Sequence, residues 1–128
     1  MTIKTKPTKN SKLPKPLWQK GEVILIDLNP PKDKYEIAKI RPAVNVQGRA
    51  ANIKSKTITI VPFSSSSGLT NSDIHIPIGK GEGGVPKKCH ALCNQITTAT
   101  KSRVLGRIGS LKTSKMNKIL QGINYHLT

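Results

Sequence analysis

The sequence predicts a small, mainly β domain: an antiparallel barrel or sheet capped by a single C-terminal helix. Three observations carry this reading. Short apolar runs rich in β-branched residues recur along the chain. Clusters of Gly, Pro, Ser and Asn separate them. Only the final segment changes to a helical period. With 128 residues in all, the chain has room for one domain.

The elements follow in order. Residues 1–20 hold Lys4, Lys6, Lys9, Lys12, Lys15 and Lys20, the prolines Pro7, Pro14 and Pro16, and no acid. Such a segment buries little, so it is expected to be a basic, mobile tail to a domain over 21–128. Glu22 to Leu28 is an apolar strand, stopped by Asn29-Pro30-Pro31, which cannot continue a ladder. Residues 32–40 are polar and charged, a loop. Pro42 to Gln47 and Thr57 to Phe63 read as the second and third strands, and Ser64-Ser65-Ser66-Ser67-Gly68 as a hydroxyl-rich loop. Ile74-His75-Ile76-Pro77-Ile78 alternates like a short strand, and Pro77 places it at an edge or an end. Gly79, Gly81, Gly83 and Gly84 mark a turn or flexible loop. Two further strands are expected around Lys88–Ile96 and Val104–Ile108. Met116, Ile119, Leu120, Ile123 and Leu127 then fall on one stripe of an amphipathic helix.

Charge narrows the function. Lys and Arg number 22 against 6 Asp and Glu, a formal charge of +16. A surface this small then carries a strong positive field, which calls for an anionic partner: nucleic acid, an acidic membrane surface or an acidic protein. The acids are Glu22, Asp27, Asp33, Glu36, Asp73 and Glu82, and they are scattered. A hard-metal nuclease centre, built from clustered carboxylates, is not expected. Cys89, His90 and Cys93 lack a second ligand pair at zinc spacing, so neither metal nor cofactor is expected. The two cysteines read as small buried residues and fit a reducing compartment. No apolar run approaches the ~18 residues that span a bilayer, and the basic N-terminus lacks a signal-peptide core. A cytoplasmic protein is the expectation.

The landmarks come in a familiar order. Gly21-Glu22-Val23-Ile24-Leu25-Ile26-Asp27-Leu28-Asn29-Pro30 is followed by Glu36 and then Arg41-Pro42-Ala43-Val44. Ile60-Val61-Pro62-Phe63-Ser64, Asn94-Gln95-Ile96 and Gly109-Ser110-Leu111 complete the set. Over residues 20–127 this resembles the MazF/PemK/Kid family of toxin endoribonucleases. The resemblance implies a small SH3-like antiparallel barrel of the CcdB/MazF type with a C-terminal helix, assembled as a homodimer. It also implies cleavage of single-stranded RNA at short sequences, without metal, to a 2′,3′-cyclic phosphate and a 5′-hydroxyl. The implied regulator is an acidic antitoxin that covers the RNA groove.

Metal-free RNA cleavage needs a base for the 2′-hydroxyl, an acid for the leaving 5′-oxygen, and fixed positive charge on the phosphorane. Arg41 matches the catalytic arginine of the family's Arg-Pro pair; its guanidinium stays charged and holds phosphate oxygens bidentately. Ser64 falls at the family's threonine, a hydroxyl able to donate to a phosphate oxygen. The run of serines leaves Ser65 as an alternative for that position. Glu36 matches a family glutamate that orients the arginine or serves as a base. Kid-like members carry an arginine and an aspartate where this chain has Leu92 and Asn94, neither of which transfers protons. The chain therefore resembles the branch without that arginine, or is a weak or inactive relative. Tyr35 stands in for a Kid-like histidine and offers a ring for base stacking. Asn94 and Gln95 offer amides for base edges or for capping a turn; Lys34, Lys39 and Ser65 complete the expected RNA contacts. His75, His90 and His126 match no family catalytic position and read as structural. Two other classes stay open. A non-catalytic basic RNA-binding barrel suits the charge but has few aromatics for stacking. A gyrase poison of the same barrel would need neither Arg41 nor the serine loop.

Overall fold

The computed structural model describes residues 13–28, 40–48 and 54–128. Seven strands among them, β1 (Glu22–Asp27), β2 (Ile40–Asn45), β3 (Thr57–Ser64), β4 (His75–Ile78), β5 (Cys89–Leu92), β6 (Thr97–Thr100) and β7 (Val104–Ser110), precede one helix, α1 (Thr113–Leu127). The ladder runs β4-β5-β3-β2-β1-β7, with β6 beside β3, and every pairing is antiparallel. Among the described residues no ladder closes the ring. The expected mainly β fold with a terminal helix is the observed one. β4 is an edge strand with Pro77 exposed, where a missing N–H costs no ladder bond.

Apolar residues on alternate sides of the sheet make two cores. Val23, Val44, Val61, Phe63, Ile76 and Ala91 pack with Met116, Ile119 and Ile123 of α1. Ile24, Ile26, Ala43, Ile58 and Ile60 form the second core, against Trp18, Leu28, Ala99 and Val104. β1 belongs to both, which is why its sequence is a continuous apolar run without alternation. The helix turns its stripe inward as expected, except for Leu127, which is exposed at the last turn.

Three boundaries differ from the sequence reading. The strand expected over Lys88–Ile96 is broken: β5 ends at Leu92, a 3₁₀ turn spans Cys93–Gln95, and β6 resumes at Thr97 to pair with a different stretch of β3. The second strand starts at Ile40, so Arg41 lies in the sheet and not just ahead of it. Residues 13–20, assigned to a mobile tail, are tied to the sheet. Arg107 N–H donates to the Pro14 carbonyl (2.9 Å), and the buried Glu22 accepts the N–H of Leu17 (2.8 Å) and of Trp18 (3.0 Å). Residues 1–12 lie outside the described residues.

Candidate active site

Registers position the site. Ala43 of β2 pairs with Pro62 of β3, the last pair of that ladder before Arg41 and Ser64. Phe63, between Pro62 and Ser64, packs in the helix-side core. Arg41 and Ser64 also line one cleft of about 280 Å³, with Ser65, Ser66, Ile40, Pro42, Phe63, Cys89 and the segment Val85-Pro86-Lys87. Among the described residues no side chain pairs with the Arg41 guanidinium, a group whose donors suit an anion.

The serines are not equivalent. Ser64 is the last residue of β3; its hydroxyl donates to Ser66 Oγ (3.1 Å) and accepts the Ser66 N–H (3.2 Å). That local turn fixes where the strand ends and holds Ser65 and Ser66 exposed at the cleft mouth. Ser64 is thus the hydroxyl carried by the sheet, and Ser65 belongs to the loop. Lys87 adds a cation from the facing segment.

Asn94 and Gln95 sit elsewhere. Their 3₁₀ turn packs on β3 and α1, and neither residue lines the cleft. Asn94 is half-buried, and its Oδ1 is buried with no partner among the described residues. Lys34, Tyr35, Glu36 and Lys39 lie outside the described residues. The cysteines are structural in character. Burial pushes the thiols of Cys89 and Cys93 up to about 11, and Cys93 Sγ donates to the Ile119 carbonyl. Among the described residues no three His, Cys, Asp or Glu side chains group as a metal site, and no helix is long and apolar enough to cross a membrane.

His90 is not among the residues that line the cleft. His90 pairs directly with Ser64 across the β3–β5 ladder and with Pro77 on its other side. No local motif signals this, because the neighbours are brought together by pairings of distant segments.

Comparisons with known proteins converge. The model of the PemK-like, MazF-like toxins of type II toxin–antitoxin systems matches residues 19–127. A curated protein from Staphylococcus saprophyticus, named endoribonuclease MazF, is 27% identical over 111 residues, covering 87% of this chain and 92% of its own. Its namesake from Staphylococcus epidermidis is 27% identical over 109 residues, covering 85% and 90%. Among solved structures, a MazE–MazF complex from Deinococcus radiodurans superposes with a TM-score of 0.72 at 14% identity, covering 85% of this chain and 94% of that one. A mycobacterial endoribonuclease solved with its cognate antitoxin gives 0.68 at 19% identity, covering 85% and 93%. At such identities the likeness to solved structures speaks to the fold alone.

Proposed function

The chain belongs to the PemK-like, MazF-like toxins of type II toxin–antitoxin systems, and from that premise we propose that it is a sequence-specific endoribonuclease toxin. It cuts single-stranded RNA without a metal, leaving a 2′,3′-cyclic phosphate and a 5′-hydroxyl. One observation carries this reading: the guanidinium of Arg41 and the serine hydroxyls share a cleft with no competing carboxylate among its lining residues.

The chemistry follows from those groups. Arg41 grips two non-bridging phosphate oxygens and offsets the charge that builds as the 2′-oxygen bonds to phosphorus. Ser64 donates a hydrogen bond to the same phosphate and fixes its rotation. Glu36, from the segment preceding β2, supports as base or as orienter of Arg41. Fixed protein charge replaces the cation that a metal nuclease would use. Lys34, Lys39, Tyr35, Ser65, Asn94 and Gln95 hold the flanking nucleotides.

The protein works as a homodimer in the cytoplasm and is silenced by an acidic antitoxin, whose charge complements the +16 of this chain. Incubation of the pure protein with long single-stranded RNA in chelator is the test. Discrete cuts with cyclic-phosphate ends support the reading. A mobility shift without cuts replaces it with a binding protein, and neither result leaves the gyrase-directed alternative. Sedimentation near the 13.9 kDa chain mass at micromolar concentration would remove the dimer.

A further inference from the structure

A strand of RNA that crosses the cleft brings more than one phosphate to it. Arg41 and Ser64, from β2 and β3, engage the phosphate that reacts. Lys87 lines the same cleft from the segment that leads into β5. Resting on the nuclease reading above, we propose that Lys87 binds the backbone phosphate next to the scissile one and so fixes the strand across the site.

Lys87 has a rigid mount. Val85 is 2% exposed, its carbonyl accepts the Gly81 N–H (2.9 Å), and the ring of Pro86 restricts the backbone that follows. Cys89, two residues on, is already paired with Ile78 of β4. The backbone of Lys87 is thus anchored on both sides, while its side chain is exposed. The ammonium also acts at the cleft wall. Burial and then Glu82 raise the Cys89 thiol to about 11, and the Lys87 charge works against them. Cys89 is itself a lining residue. Lys88, one place further, is exposed as well but does not line the cleft.

Among the described residues no carboxylate forms an ion pair with Lys87. Glu82, the acid nearest this wall, accepts the Gly79 N–H (2.9 Å) and meets Lys115 Nζ (3.5 Å). Lys115 is committed to Glu82 and to the Pro77 carbonyl (2.7 Å). The choice of phosphate follows from the chemistry. The reacting phosphate gains charge and an extra ligand, which suits the planar fork of Arg41. A flanking phosphate keeps its charge throughout, and a compact ammonium on a flexible stem holds it equally well before and during reaction. Such uniform binding lowers KM and leaves kcat alone. A phosphate contact also positions the strand without reading its sequence.

Steady-state cleavage of one defined single-stranded RNA tests this. Lys87→Met should raise KM about tenfold with kcat near wild type, and should flatten the log–log salt slope of binding by about 0.7. Lys87→Arg should restore KM, since either cation holds a phosphate that does not react. Lys88→Met should leave KM where it is. A neutral methylphosphonate in place of one phosphate beside the scissile bond, tried on the 5′ and then the 3′ side, locates the contact. On one side it should weaken wild type and cost Lys87→Met nothing more. An unchanged KM in Lys87→Met, an equal rise in Lys88→Met, or no rescue by Lys87→Arg would overturn the assignment while the nuclease reading stands. So would a loss confined to kcat, or additive losses on both sides of the scissile bond. A wild-type protein that cuts no RNA in chelator fails the nuclease reading itself, and this proposal with it.

Discussion

Glu22 meets Arg107 Nε at 3.5 Å beside the β1–β7 ladder, and the same carboxylate accepts the N–H groups of Leu17 and Trp18. The acid is 3% exposed. Trp18 sits in the left-handed region at φ 57, a conformation costly for a bulky residue, with Lys101 Nζ 4.8 Å from its ring centre. Glu22 is therefore the peg that fastens residues 13–20 to the sheet. Glu22→Ala strands two donors and should lower stability by about 1–3 kcal/mol, a shift of several degrees in Tm. Glu22→Gln keeps one acceptor and should cost less. Thermal unfolding measures both, and faster proteolysis between residues 13 and 20 should accompany the loss.

A second peg is a glycine contact. Gly84 has φ +80, and a Cβ built there runs into the Ile108 carbonyl of β7. Gly81 shares the left-handed conformation (φ +85) but has open space around it. Gly81→Ala should carry only the backbone strain, roughly 1–3 kcal/mol. Gly84→Ala should cost clearly more, since backbone on β7 must retreat as well. Denaturant midpoints of the two variants, compared side by side, check the order.

These two contacts show what a sequence hides. Glu22 reads as one more strand residue, because its partners Leu17, Trp18 and Arg107 join it only through tertiary packing. The glycine cluster reads as a flexible loop, because nothing local announces that β7 presses against it. Arg41 and Ser64 were legible, each lying in a short ordered motif with its own chemistry. Their shared cleft was not, since it depends on how β2 and β3 come together. β6 was missed for a related reason: the Cys93–Gln95 turn lets one continuous segment pair with β3 in two separate places.

The thiols give a pH prediction with a definite sign. Burial, chiefly, raises Cys89 and Cys93 from the ordinary 9.0 to about 11, with Glu82 adding to the shift at Cys89. Folding therefore favours the neutral thiols. Their contribution to stability is complete below pH 9 and is lost as pH climbs through about 11. Urea unfolding should show falling stability across that window, less steeply in Cys93→Ala. Alkylation of the native protein at pH 8 should be far slower than that of the unfolded chain.

RNA affinity should fall steeply with salt. Each phosphate neutralised contributes about −0.7 to the log–log slope for a single strand. Deleting residues 1–12, with Lys4, Lys6, Lys9 and Lys12, should flatten the slope if those charges touch RNA. An unchanged slope would confine binding to the folded domain.

Catalysis offers the sharpest prediction, because Arg41 and Ser64 are held differently. Arg41→Ala removes the guanidinium that faces the cleft, and losing such fixed charge at a phosphorane typically costs about 100–1,000-fold in rate. Arg41→Lys should rescue poorly, since a point charge does not reproduce a bidentate grip. Ser64→Ala should cost less, because Ser65 and Ser66 line the same cleft, but it also removes the turn that Ser66 makes with Ser64 Oγ. Asn94→Asp is the reverse test. Asn94 Oδ1 is buried without a partner among the described residues, so a carboxylate there is held away from water near the sheet. If cleavage rises strongly, the position retains the reach of a Kid-like base. If it is unchanged or falls while the preferred RNA sequence shifts, Asn94 reads bases. Single-turnover rates on one defined RNA separate these outcomes, and full activity in Arg41→Ala would remove Arg41 from the mechanism.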